Sequence, residues 1–147
     1  MASGLYVVTY RDVLDDSQLA LNLDDETHKF ALYTSSKTPD YNADSAYSAT
    51  NEISGTGYTA KGKEVTGTAL SLPGAGVLKY SSDAVSWPSS TLTGVRHVDM
   101  FAEALAAVTA DALIMGIDLG TGYNTANGSL LLTPHANGLA TIDFTPA

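Results

Sequence analysis

Apolar and polar positions alternate along this chain in short runs, each cut by turn residues. The first run is His28-Lys29-Phe30-Ala31-Leu32-Tyr33-Thr34, where Phe30 and Leu32 share one face. A period of two is the signature of a half-buried strand. Residues 63–72 alternate loosely, Pro73-Gly74-Ala75-Gly76 reads as a turn, and Val77-Leu78-Lys79-Tyr80 returns. That order predicts a hairpin. Val85 and Trp87 open a further alternation, cut by Pro88. Residues 91–101 predict a longer strand, with Leu92, Val95 and Val98 among its apolar positions. Residues 113–119 predict another strand, 120–128 a loop, and 130–133 and 139–142 two closing strands. Between these two lies Asn137-Gly138, whose tolerance of positive φ makes it a strong hairpin signal.

Other stretches are less regular. Residues 5–23 mix strand-favouring Tyr6-Val7-Val8-Thr9-Tyr10 with positions compatible with a short helix. Asp24-Asp25-Glu26-Thr27 reads as a polar turn, and 35–48 as a polar loop shaped by Pro39 and Asx residues. The glycines of Ile53-Ser54-Gly55-Thr56-Gly57-Tyr58 suit a bulge or an irregular strand start. The alanine-rich stretch 103–110 fits either a short helix or a loop insertion. The pattern predicts an all-β fold, an antiparallel sandwich or barrel of about seven to nine short strands. Residues 1–27 form an N-terminal arm or short helix, and 28–147 a single β-sandwich domain.

Composition sharpens this picture. The chain has 147 residues, enough for one domain with its own core. Charged residues are 16% against a typical value of about 25%. Hydroxyl and small residues take their place. The formal net charge is −9, with only Arg11 and Arg96 as arginines. Such a chain repels nucleic-acid phosphates and anionic membranes, so neither is an expected partner. There are no cysteines, which excludes disulfides and thiolate chemistry. No signal peptide is visible at Met1-Ala2-Ser3-Gly4-Leu5, and no apolar run approaches the roughly 20 residues of a membrane span.

Candidate chemistry is sparse. His28, His97 and His135 fall on separate segments without metal-ligand spacing. The acidic runs Asp15-Asp16 and Asp24-Asp25-Glu26 lack the spaced ligands and turn glycine of a calcium loop. Gly55-Thr56-Gly57-Tyr58 and Gly120-Thr121-Gly122-Tyr123 do not continue into a phosphate-binding motif. Asp118 alternates with Ile117 and Leu119, which predicts an exposed side chain. The expectation is a non-enzyme without cofactor or metal. Tyr6, Tyr10, Tyr41, Tyr58 and Trp87 are its candidate interface residues.

The order of features carries a resemblance. It runs through Lys29 to Ser36, Thr38-Pro39-Asp40-Tyr41, Asn51-Glu52-Ile53-Ser54-Gly55-Thr56-Gly57-Tyr58-Thr59-Ala60-Lys61-Gly62, Ala84-Val85-Ser86-Trp87, Leu113 to Gly120, and Ala136-Asn137-Gly138. Over roughly residues 28–142 the chain resembles a group of small tailed-bacteriophage virion proteins, described as minor capsid, decoration or minor tail proteins. Its most specific part is 52–62 read with 136–138. The chain departs from the group at 103–110 and at 1–27. The resemblance implies a structural role in the particle, with the major capsid protein lattice as partner and the capsid surface as location. A tail or baseplate position is the alternative. A homo-oligomer fits such assemblies, and a trimer would suit a three-fold capsid site. A carbohydrate- or receptor-binding β-sandwich is the reading from a different class.

Overall fold

The alternation of the sequence becomes ten antiparallel strands and one short helix in the computed structural model, which describes residues 2–25, 27–103 and 105–146. In chain order they are β1 (Gly4–Leu5), α1 (Val7–Leu14), β2 (His28–Tyr33), β3 (Lys63–Glu64), β4 (Ala69–Gly74), β5 (Val77–Ser81), β6 (Val85–Ser90), β7 (Val95–Ala102), β8 (Ala112–Tyr123), β9 (Gly128–Leu132) and β10 (Ala140–Asp143). One five-stranded sheet has the order β1-β8-β7-β2-β3. The opposing layer is divided into a three-stranded sheet, β10-β5-β4, and a ribbon, β6-β9. The architecture is a mainly β, sandwich-like fold.

Period two sorts the five-stranded sheet into two faces. Phe30, Leu32, Val98, Met100, Ala102 and Ile114 point into the main core. There they meet Tyr80, Val85, Trp87, Leu92 and Leu130 from the opposing layer. Ala31, Tyr33, Phe101 and Leu113 point the other way and form a second core with Tyr6. Tyr41 and Tyr47 pack at its margin. The register slips between Met100 and Phe101, which pair with Met115 and Leu113 and leave Ile114 as an extra residue. That bulge lets the neighbours Ile114 and Met115 both serve the main core.

The second core corrects the half-buried expectation for β2, whose two faces are both covered. What covers the back face is Tyr6 together with Tyr41 and Tyr47 of the loop that follows β2, whereas Leu5, Tyr10, Leu21 and Leu23 pack against the main core. Gly4 and Leu5 pair with Gly116 and Met115 of β8. Tyr6 is extended and has no accessible surface. α1 then starts and lies on the sheet, where the Thr9 hydroxyl donates to the Leu113 carbonyl at 2.5 Å. Arg11 in its last turn complements the negative end of the helix. Leu19 and Leu23 are also buried.

Three other expectations change. β8 continues through Gly120 to Tyr123, where a loop was expected, because β7 supplies it with a partner out to Val95. β6 runs through Pro88 rather than stopping there, and its register with β9 shifts between Trp87 and Ser90. A proline lacks the N–H a regular ladder needs, so the irregularity falls beside it. The turn at Asn137-Gly138 forms, with a bridge between His135 and Gly138. Its flanking strands do not pair with each other: β9 joins β6, and β10 joins β5. The described residues of 103–110 form turns and bends rather than a helix.

Candidate functional site

The back face holds a cluster of ionisable groups that the alternation did not predict. His97 and Asp99 lie on β7 and point the same way as Phe101. Both have no accessible surface. Asp99 Oδ1 accepts a hydrogen bond from the Tyr6 hydroxyl at 2.6 Å and one from His97 Nε2 at 2.9 Å. Since a carboxylate only accepts, the His97 proton sits on Nε2. His97 Nδ1 is buried without a partner. Lys37, from the loop after β2, places Nζ 2.9 Å from Asp99 Oδ2. The contact lacks hydrogen-bond alignment, so Oδ2 receives charge but no well-directed proton.

Aromatic rings and a glycine close the cluster. Lys37 Nζ lies 4.6 Å from the centre of the Tyr33 ring, a favourable place for a cation. Tyr6 and Tyr41 pack with ring centres 4.9 Å apart. A Cβ on Gly116 would lie 2.7 Å from the Tyr41 hydroxyl oxygen and 2.9 Å from His97 Nε2. Glycine there lets the two rings reach the sheet. Burial pushes the Asp99 carboxyl up, but the His97 hydrogen bond, the Lys37 charge and the Tyr6 hydrogen bond outweigh it, and its pKa ends below the usual value. Burial and the nearby Asp99 push the Tyr6 phenol far up, so it stays a donor. The Tyr41 phenol is pushed up to about 12, mainly by burial.

The stretch most specific to the resemblance builds the fold. Glu52 Oε1 accepts from the Tyr58 hydroxyl at 2.6 Å and from the Lys61 backbone N–H at 2.8 Å. Its Oε2 accepts from the Tyr47 hydroxyl at 2.5 Å. The Tyr58 oxygen in turn accepts from the Leu32 N–H at 3.0 Å. One carboxylate thus fastens 47–61 onto β2. The glycines permit the close approach: a Cβ on Gly62 would overlap the Phe30 carbonyl oxygen, and one on Gly55 the Thr91 carbonyl oxygen. Gly138 abuts the Tyr80 carbonyl in the same manner. The residues that carry the likeness are therefore packing and turn residues.

None of the five candidate interface residues is exposed. Tyr6 and Trp87 are buried, and Tyr10, Tyr41 and Tyr58 are half-buried. They are also dispersed: Tyr6 and Tyr41 on the back face, Tyr10 and Trp87 in or beside the main core, Tyr58 in the clamp to β2. Large rings bury well, so aromatic residues that suit an interface suit the core equally. Asp118 departs from expectation too, since it is largely covered by an ion pair with Arg96 at 2.8 Å. His28 Nε2 lies 2.6 Å from the Asn22 carbonyl oxygen, which it meets as a donor. Among the described residues no three His, Asp or Glu side chains converge as a metal site.

Two surface features remain. All six residues of β4 are exposed, and β4 is the outer strand of its sheet. Leu72 on it is 82% exposed and Phe144 is 61% exposed. Together with Val77 and Leu78 they line an apolar depression of about 370 Å³. A larger cleft, about 640 Å³, opens between β8 and the strands β9 and β10, with Leu5, Ile117, Leu119, Leu130 and Leu139 in its walls.

No protein-family model matches the chain, and neither the curated proteins nor the solved structures contain a significant match.

Proposed function

We propose that this chain is a structural protein of a tailed-bacteriophage particle, docking on the capsid shell and reinforcing it. The observation that carries this reading is β4: an outer strand, exposed along its whole length, bearing Leu72 beside Phe144. As an outer strand it presents one edge to a strand of a neighbouring protein, although Leu70 N–H on it already donates to Asp24 Oδ1 at 3.0 Å. Leu72 and Phe144 are apolar anchors for such a contact, and exposed apolar patches mark interaction surfaces. The resemblance over roughly 28–142 supports the setting. A tail or baseplate position uses the same surface and differs in copy number.

Mass spectrometry of purified particles from the encoding phage tests the reading. Hundreds of copies per particle are expected for a shell position, and a few tens or fewer would move the protein to the tail. Absence from purified particles would overturn the proposal. Binding of the purified chain to empty shells, lost in Leu72→Asp, would tie the role to β4.

A further inference from the structure

We propose that Lys37 and Asp99 condense spontaneously to an isopeptide bond, so that the folded chain carries an internal covalent cross-link between the loop after β2 and the centre of β7. The inference is independent of the virion reading.

Three observations carry it. The amine and carboxylate are in contact at 2.9 Å in a site where Asp99 has no accessible surface and Lys37 is 8% exposed. They come from elements 62 positions apart but held by the same sheet. The two carboxylate oxygens are treated differently. Oδ1 faces two donors, Tyr6 and His97, whereas Oδ2 faces the ammonium alone and without hydrogen-bond alignment. That arrangement assigns a role to each atom.

The donors on Oδ1 and the Lys37 charge hold Asp99 ionised against burial, so the reaction runs through a minor neutral pair. A proton passes from Lys37 Nζ to Asp99 Oδ2 and leaves a free amine beside a carboxylic acid. Nζ attacks Cγ, and negative charge collects on Oδ1, where the Tyr6 hydroxyl and His97 Nε2–H donate to it. Two such donors form an oxyanion hole. A second proton moves from Nζ to Oδ2. The Cγ–Oδ2 bond breaks and Oδ2 leaves as water. Of the three ammonium protons, two depart with that water and one stays on the amide nitrogen. The net change is ammonium plus carboxylate to amide plus water, with no redox partner and no net change in charge. Holding the two groups together supplies an effective concentration of order 10⁵–10⁸ M, which offsets the preference of free amines and acids for the uncondensed state in water. The cover of Tyr6, Tyr33 and Tyr41 limits return of water to the bond.

Intact-mass spectrometry of the purified full-length chain, denatured immediately before injection, decides the matter. The expected result is a mass lower than the sequence requires by one water, with a branched peptide joining the Lys37 and Asp99 segments after digestion. Lys37→Arg keeps the cation but has no amine to condense, and is expected at its full sequence mass. Tyr6→Phe removes one oxyanion donor and is expected to slow bond formation about a hundredfold in protein refolded from the denatured state. Full sequence mass in folded wild-type protein after prolonged incubation would overturn the proposal. So would a lost water that maps elsewhere, as in a succinimide that hydroxylamine reverses. The wild-type peptide map distinguishes these outcomes even if a variant fails to fold.

Discussion

Asp99 is the residue on which most of the back face converges. Truncating it leaves the Lys37 amine, the Tyr6 hydroxyl and His97 Nε2 buried with no acceptor between them. Removing one partner of a buried ionic cluster costs about 3–5 kcal/mol. Asp99→Ala, which removes the acceptor and any cross-link through it, is expected to lose at least that much stability by urea denaturation, far more than an exposed substitution such as Thr121→Ala. His28 offers a pH test. Its pKa is lowered by burial, against the opposing hydrogen bond to Asn22 and the charge of Asp25. The unfolded chain therefore takes up this proton first as pH falls. The contribution of neutral His28 is complete above about pH 6.5, the ordinary histidine value, and is lost below it down to the folded-state pKa. Unfolding free energy is expected to decline by at most about 1.4 kcal/mol per pH unit from this group in that window. His28→Asn, compared by denaturation at a series of pH values, should flatten the slope there.

At the scale of elements, the chain's punctuation was easier to read than its partnerships. β5 follows from alternation after a turn signal, whereas β2 and the middle of β8, buried on both faces, were legible as short apolar runs bounded by turn residues. The back-face layer was not legible for a physical reason. Tyr6-Val7-Val8-Thr9-Tyr10 has strand propensity, yet α1 starts at Val7. The pull comes from Tyr6 reaching Asp99 and the Val7 N–H donating to the Tyr41 carbonyl at 2.8 Å. These are contacts across 93 and 34 positions, to which no local pattern corresponds. The same holds for Lys37, an ordinary loop lysine until the fold sets it against β7. Asn137-Gly138 predicted its turn, but two-residue chemistry says nothing about where the strands go afterwards. Gly62 was legible as part of a motif and only the fold explains it. Its φ is +73°, and the Phe30 carbonyl occupies the place of a Cβ. Gly62→Ala is expected to destabilise by well over 1 kcal/mol, read as a lower midpoint in thermal unfolding, with faster amide exchange at Val65, whose N–H donates to the His28 carbonyl at 2.8 Å.

For the whole molecule, the division of labour is between an interior fastened by polar clusters and one apolar edge left open. β4 and Phe144 lie away from the Asp99 cluster, so the two can be varied separately. Exposed substitutions away from buried features usually change stability by less than about 0.5 kcal/mol. Leu72→Asp is therefore expected to leave the melting temperature nearly unchanged. It should reduce self-association or shell binding at least tenfold, measured by analytical ultracentrifugation and by co-sedimentation with empty shells. A large drop in melting temperature instead would mean that Leu72 supports the fold and not an interface.

The pairing of Gly4 and Leu5 with Gly116 and Met115 also sets a clock. These residues are made more than a hundred positions ahead of their partners. At a synthesis rate of about 5–20 residues per second, they wait on the order of ten seconds for β8 to leave the ribosome. Until then the second core lacks Leu113 and the strand that holds Tyr6 over Ala31 and Tyr33. The stretch that carries β1 and Tyr6, made well before its partners, is among the last to find its place, and the charge of Asp99 is sealed from water only when it does.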